Sequence, residues 1–127
     1  LTFVNQDVTF ANNALDSIND VNDFMDKGLG DFTKLNKDFG KFKIPTIRNW
    51  IYTAPYMHDG RFKTIEDVVD HYSDHLQLSP TVDPLMQLLN QGGSHMSTSD
   101  KSDLIAFLKT LNDASFVNDT SFANPFK

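Results

Sequence analysis

Residues 43–72 read KIPTIRNWIYTAPYMHDGRFKTIEDVVDHY, and this stretch decides how the chain folds. Pro45 and Pro55 enclose a segment that is too short for a long helix, because proline interrupts a helix that runs through it. We expect one or two helical turns between the two prolines. The apolar side chains expected to pack these turns on the core are Ile47, Trp50 and Ile51.

The second half of this stretch predicts an amphipathic helix. The run His58, Asp59 and Gly60 is typical of a tight turn, and the helix is expected to follow it. Thr64 is a natural N-cap, and Asp67 completes a capping box with Asp in place of the usual Glu. The apolar positions repeat at helical spacing and end in a tyrosine: Ile65, Val68, Val69 and Tyr72.

The segments around this stretch alternate loops with short helices. Residues 1–42 are rich in Asn, Asp and Gly, which predicts a loop-rich wrap with one short helical turn. A short helix is expected at residues 84–90, and another after Ser97, which pairs with Asp100 as a second capping box. The predicted fold class is mainly α with long irregular loops, and residues 43–111 form its helical core.

The last segment, residues 112–127, is predicted to be an extended tail because its apolar residues lack any period. Three aromatic side chains should hold this tail on the surface: Phe116, Phe122 and Phe126. We expect the whole chain, 1–127, to form one domain, since its length suits a single core.

Composition excludes several classes of function. The net charge of −6 and the pI near 4.9 argue against a nucleic-acid partner. No apolar run is long enough to span a membrane. The absence of cysteine excludes disulfides, iron–sulfur clusters and thiolate metal sites within these 127 residues. The acidic surface suits a basic redox partner, although acidity is also a common route to solubility.

Histidine, methionine and tyrosine provide the candidate ligands. His71 and His75 have a spacing that can bind zinc from one helix face, but solvated surface residues are the better interpretation. His58 is either a structural turn histidine or a functional imidazole, and the residues leave both open. Methionines such as Met57 are either soft metal ligands or core side chains. From the residues alone, Tyr72 is a buried tyrosine with a hydrogen-bonded hydroxyl.

The strings KIPTIRN, TAPYMHDGRF and TIEDVVDHY together resemble the C-terminal haem domain of bacterial di-haem cytochrome c peroxidases and their MauG-type relatives. The stretch FANNALDS resembles the family's Asn-Asn-Gly-Leu-Asp segment, with Ala14 in place of the glycine. DKSDLIAFLKTLND resembles the closing helix, and DTSFANPF the terminal tail. The resemblance covers essentially the whole chain and implies an incomplete cytochrome c-like domain, because the family's Cys-x-x-Cys-His motif is missing. It places that motif just before Leu1, so the N-terminus is expected to be a processed or cut end.

The resemblance also implies a set of site residues. Tyr72 occupies the position of the axial ligand on the distal side of the C-terminal haem c, where peroxidases have methionine and MauG-type members have tyrosine. Arg48 and His58 match positions near the haem. The resemblance implies that these two residues pair with a haem propionate and form hydrogen bonds around the site. Met57, the neighbour of His58 in sequence, is included among the cofactor-binding candidates. A calcium ion is implied at the backbone carbonyls of Thr53 and Pro55.

The function implied by the resemblance is that of a periplasmic oxidoreductase. The intact protein would reduce hydrogen peroxide with electrons from a small redox protein, such as a cytochrome or cupredoxin, and a homodimer is a further expectation. A MauG-like enzyme that oxidises a protein substrate is the alternative implied by Tyr72. The fragment alone is expected to be inactive. Two other interpretations stay open: a haem-free binding module on a cytochrome scaffold, and a mono-haem electron carrier.

Overall fold

The computed structural model describes residues 9–86 and 91–126, and short helices joined by long loops dominate this part of the chain. Two strands form an antiparallel pair: β1 (Phe10–Ala11) and β2 (Phe42–Lys43). Four α-helices are described: α1 (Leu29–Thr33), α2 (Ile65–Asp74), α3 (Thr98–Lys109) and α4 (Ala114–Val117). The described 3₁₀ turns are Val21–Asp23, Asn36–Asp38, Trp50–Tyr52 and Thr120–Phe122.

The chain divides into two compact units. The first contains Leu1–Pro45 and Val69–Met96, and the second contains Thr46–Val68 and Ser97–Lys127. The helix α2 begins in the second unit and ends in the first. Each unit is therefore made of two separate stretches of sequence.

The first unit builds its N-terminal part around aromatic rings that pack on glycines. Phe24 and Phe39 are both buried. A side chain at Gly30 would overlap the ring of Phe39, and one at Gly40 would overlap the ring of Phe24. The β1–β2 pair closes this region, with Phe10 opposite Lys43. The predicted single helical turn was an underestimate, since this wrap contains α1 and two 3₁₀ turns.

The C-terminal end of α2 is capped by the segment 92–96, which also belongs to the first unit. The last carbonyls of a helix have no partner within it, so another segment must supply donors. The amide of Ser94 donates to the Tyr72 carbonyl at 3.2 Å, and that of His95 to the Ser73 carbonyl at 2.8 Å. The Met96 amide donates to the Ser73 hydroxyl at 3.0 Å. Ser73 is fully buried, so the helix does not fray there.

The second unit joins the Asn49–Trp50 stretch to the end of α3. The indole N–H of Trp50 donates to the Leu108 carbonyl at 2.7 Å, and Trp50 is buried. The Asn49 amide donates to the Leu111 carbonyl at 3.0 Å, and its side chain accepts from the Asp113 amide at 2.6 Å. The turns expected between the prolines therefore pack through tryptophan and asparagine.

Both predicted capping boxes are confirmed. The Asp67 amide donates to the Thr64 hydroxyl at 3.2 Å, and the Asp67 carboxylate accepts from the Thr64 amide at 3.1 Å. Ser97 and Asp100 form the same reciprocal pair at the start of α3. Hydrogen bonds from Ser97 hold the pKa of Asp100 below its ordinary value.

Several predicted packing contacts were wrong. Ile47 and Ile51 are 55% and 51% exposed, so neither packs on a core as expected. Phe116 and Phe122 are exposed and contact each other, with ring centroids 5.0 Å apart, and Phe126 is exposed too. The tail predicted to be extended contains α4 and a 3₁₀ turn.

The helix expected at residues 84–90 lies partly outside the described residues. Among those that are described, no helix has the length and apolar character to cross a bilayer.

Candidate functional site

Tyr72 lies in the last turn of α2 and lines a cavity of about 200 Å³. The other described lining residues are Leu76, Leu85, Met86 and Ser94. The lining is therefore mostly apolar, and Tyr72 and Met86 are its residues of the types that can bind haem iron. Tyr72 is half-buried, as the apolar face of α2 predicted. All five residues belong to the first unit.

Burial raises the pKa of Tyr72, and the Asn13 side chain near its hydroxyl acts in the opposite direction. The phenol is protonated at neutral pH and would have to release its proton to bind a metal as phenolate.

His71 lies next to Tyr72 and is buried, so its interpretation as a surface residue was wrong. Its Nε2 lies 2.9 Å from the backbone carbonyl oxygen of Asn13. A carbonyl only accepts, so Nε2 carries the proton in this bond. His75 is exposed, as expected. The described parts of the chain hold no group of three potential metal-binding His, Cys, Asp or Glu side chains.

Asn12 anchors the segment that carries Asn13, a role that sequence reasoning did not assign. Asn12 is buried, and its amide donates to the hydroxyls of Ser79 at 3.1 Å and Thr81 at 3.0 Å. Its side-chain oxygen accepts from the Ala14 amide at 3.0 Å. The available signal was the FANNALDS string, which was used to assign the family rather than a role for its asparagines.

The second unit places Met57 and His58 in one loop. Tyr56 and Phe62 form an antiparallel bridge that closes this loop, and the Gly60 amide donates to the Met57 carbonyl at 3.3 Å, forming the predicted turn. Met57 is half-buried with a φ of +71°, a region that non-glycine residues rarely adopt. His58 is exposed at the tip of this turn.

A salt bridge stabilises the same turn. The Arg61 guanidinium lies 2.7 Å from the Asp59 carboxylate, and the Arg61 amide donates to it at 3.2 Å. Hydrogen bonds from Arg61 hold the pKa of Asp59 below its ordinary value. The turn therefore contains its own ion pair.

The predicted calcium and propionate residues also lie in the second unit. Thr53 and Pro55 are exposed, and the Thr53 hydroxyl donates to the Trp50 carbonyl at 2.8 Å. Arg48 is exposed, and its amide donates to the Thr46 hydroxyl at 3.2 Å. The carbonyls of Thr53 and Pro55 could supply two hard oxygen ligands, fewer than the six to eight that calcium takes.

Tyr72 is the residue of this apolar lining whose phenol could bind haem iron. The cavity of about 200 Å³ is smaller than the roughly 300–1,000 Å³ of small-molecule sites, and the chain has no cysteine for covalent attachment. A complete haem site therefore needs groups beyond those that line the described cavity.

Comparisons with known proteins identify the family. No family model matches the chain. The chain is 40% identical over 87 residues to cytochrome-c peroxidase IdrP1 of Pseudomonas sp. strain SCT, a match covering 68% of this chain and 22% of that protein. It is 37% identical over 70 residues to methylamine utilization protein MauG of Methylorubrum extorquens, covering 55% of this chain and 18% of MauG.

A solved structure gives the same result. The crystal structure of a MauG-like protein associated with microbial copper homeostasis matches with a TM-score of 0.75 and 32% identity. The match covers 99% of this chain and 41% of that protein. The chain thus spans about a fifth of the length of the curated relatives it matches. The chain belongs to the family of di-haem cytochrome c peroxidases and MauG proteins.

Proposed function

We propose that this chain provides the tyrosine-bearing side of the C-terminal haem site in a longer di-haem enzyme, on a cytochrome c-like scaffold. The observation that carries this proposal is the position of Tyr72, a half-buried tyrosine among the residues that line a mostly apolar cavity. Tyr72, the residue proposed as axial ligand, is one of the residues that line the cavity. The family membership supplies the expected cofactor, haem c.

The proposed activity of the longer protein is reduction of hydrogen peroxide in the periplasm, with electrons from a small redox protein such as a cytochrome or cupredoxin. A bound haem would supply the redox-active iron for this reaction. Tyr72 would contribute the oxygen donor, and Leu76, Leu85 and Met86 would give that side an apolar lining. The short fragment is proposed to lack peroxidase activity by itself, because these residues provide a ligand and an apolar wall but no group placed to act on peroxide.

A MauG-like activity is a second candidate, and Tyr72 is the observation that favours it. A phenolate stabilises ferric iron and lowers the reduction potential, whereas a thioether has the opposite effect. The likeness to MauG and to the MauG-like solved structure supports this candidate. Measuring the reduction potential of the tyrosine-side haem distinguishes the two candidates. A low potential favours the MauG-like activity, and a high potential favours a peroxidase whose haem accepts electrons from the redox partner.

Roles are also proposed for the site residues that the family resemblance implies outside the cavity. Arg48 would pair with a haem propionate, since guanidinium binds carboxylates well. His58 and Met57 would lie among the residues that surround the haem. The carbonyls of Thr53 and Pro55 would bind calcium together with oxygens from other segments of the longer protein. Both residues are exposed.

The experiment that tests the proposed function is expression of the full-length protein with a c-haem maturation system. Two covalently bound haems per protein and consumption of hydrogen peroxide with a reduced electron donor are the expected results. One haem would favour the electron carrier instead. A protein without a Soret band would favour the haem-free binding module and overturn the proposal.

A further inference from the structure

We propose that His71 is a positioning residue for Tyr72, because it ties the end of α2 to the backbone of Asn13 and packs against the tyrosine ring. This inference rests on the proposed function, since it takes Tyr72 as the oxygen ligand of the haem. His71 is not among the described residues that line the cavity. Its role is therefore to act through Tyr72 rather than to touch the cofactor.

Two contacts of the His71 side chain carry the inference. Its Nε2 donates to the backbone carbonyl of Asn13, with the two atoms 2.9 Å apart. Its ring meets the ring of Tyr72 edge to face, with centroids 5.2 Å apart and planes inclined by 65°. Aromatic pairs favour this arrangement. The Tyr72 ring therefore cannot turn away from its position without losing a favourable contact.

His71 is itself held firmly, because it is only 3% exposed. A buried donor that loses its partner is costly, since no water replaces the missing hydrogen bond. The bond from Nε2 to the Asn13 carbonyl therefore fixes the imidazole, and the fixed imidazole limits the movement of the next ring in the sequence.

The backbone that accepts this bond is fixed on both sides of Asn13. Asn12 is buried, and its side-chain oxygen accepts from the Ala14 amide at 3.0 Å, which closes a turn across Asn13. The amide of Asn12 donates to the Ser79 hydroxyl at 3.1 Å, and the Ala14 carbonyl accepts from the Gln77 amide at 2.8 Å. A ligand is oriented well only when the residues that support it are fixed in advance, and the segment 12–14 meets this condition.

Two substitutions of His71 remove different parts of the support. His71→Leu removes both the N–H donor and the aromatic edge. His71→Gln loses the ring but has an amide N–H that can replace Nε2 as donor to the Asn13 carbonyl. A histidine that only stabilises the fold would affect the haem site equally whether or not Tyr72 is present. A positioning residue has an effect that disappears when Tyr72 is removed.

The test uses the full-length, haem-loaded protein and a double-mutant cycle. His71→Leu and His71→Gln are each made with Tyr72 present and with Tyr72→Phe. His75→Leu is the matched control, because His75 is an exposed histidine four residues later. The readouts are the reduction potential of the tyrosine-side haem and the affinity of its ferric form for imidazole, which competes with the tyrosine. Haem content and far-UV circular dichroism establish that each variant is folded.

With Tyr72 present, we expect His71→Leu to weaken the tyrosine–iron interaction about tenfold, the lower end of the range for residues that support a metal ligand. Imidazole should bind more tightly by a similar factor. The potential should rise by about 59 mV, the one-electron equivalent of a factor of ten. His71→Gln should give a smaller change of the same sign, and His75→Leu none. In the Tyr72→Phe protein, neither substitution of His71 should change either readout.

The outcomes separate this inference from the proposed function. If Tyr72→Phe alone changes neither readout, Tyr72 is not a ligand and the proposed function fails. If Tyr72→Phe changes both readouts but His71→Leu changes neither, or changes them equally with and without Tyr72, only the role of His71 is overturned. Should His71→Leu lose its haem or its fold, His71→Gln decides by the same comparison, and wild-type values in that variant contradict the inference. Loss of the fold in both variants also contradicts it, because His71 would then be required for folding itself.

Discussion

Replacing Gly93 with alanine should disrupt the cap that closes α2 beside Tyr72. Gly93 has a φ of +148°, and a Cβ atom there would overlap the Ser73 carbonyl and lie 2.8 Å from the Tyr72 carbonyl oxygen. Both obstacles are backbone atoms, which cannot move aside as a flexible side chain would. The segment that follows Gly93 must therefore shift away from the end of the helix.

The size of the effect follows from the hydrogen bonds that this shift breaks. They are the Ser94–Tyr72 and His95–Ser73 backbone bonds and the bond from the Met96 amide to the Ser73 hydroxyl. At about 0.5–1.5 kcal/mol each, their loss amounts to about 3 kcal/mol of unfolding free energy. Gly92 offers a matched control, since its φ of +82° is unfavourable for alanine but the nearest atom is 3.6 Å away. The Gly92→Ala variant should lose only about 1 kcal/mol.

Urea unfolding of the 127-residue chain, followed by circular dichroism, measures both variants under one set of conditions. The expected result is that Gly93→Ala is less stable than Gly92→Ala by about 2 kcal/mol, a factor of about 30 in the unfolding constant. Equal losses would show that the steric overlap at Ser73 is absent and would refute this account of the cap.

Two further predictions concern the second unit. Trp50→Phe removes the donor to the Leu108 carbonyl, so we expect a loss of about 1–3 kcal/mol in urea unfolding; a loss as small as that of the exposed Tyr52→Phe change would contradict the contact. The lowered pKa of Asp100 means that its ionised form is favoured in the folded state. Its contribution is therefore present above the ordinary pKa of 3.8 and is lost as the pH falls through the lowered value. Far-UV circular dichroism should show an acid-induced loss of helix that is weaker in Asp100→Asn, and identical acid transitions in both proteins would refute the role of the cap.

Local signals in the sequence were sufficient to predict the helices that begin with a capping box. Thr64 with Asp67 and Ser97 with Asp100 interact within a single turn, so their spacing alone carries the information. Packing partners were harder to predict, because they depend on distant segments. Ile47 and Ile51 match the pattern of core residues and yet are exposed, whereas Trp50 is buried through a bond to a residue 58 positions later.

The candidate site likewise has some features that the sequence predicted and others that it did not. The position of Tyr72 on an apolar helix face was predictable from periodicity, and its role as a ligand was implied by the family resemblance. The burial of His71 was not predictable, because its partner is the carbonyl of Asn13, 58 residues earlier in the chain. Every residue has a backbone carbonyl, so the residue types alone could not have predicted this contact.

The most direct test of the central claim is the Tyr72→Phe substitution in the full-length, haem-loaded protein, with Tyr52→Phe as the control. Tyr52 is 55% exposed and does not line the described cavity, so its hydroxyl should be dispensable. If Tyr72 binds the iron, its replacement should change the ferric absorption spectrum of one haem and raise the reduction potential of that haem, while Tyr52→Phe changes neither. A Tyr72→Phe spectrum and potential identical to those of the wild type would contradict the claim that Tyr72 is a haem ligand.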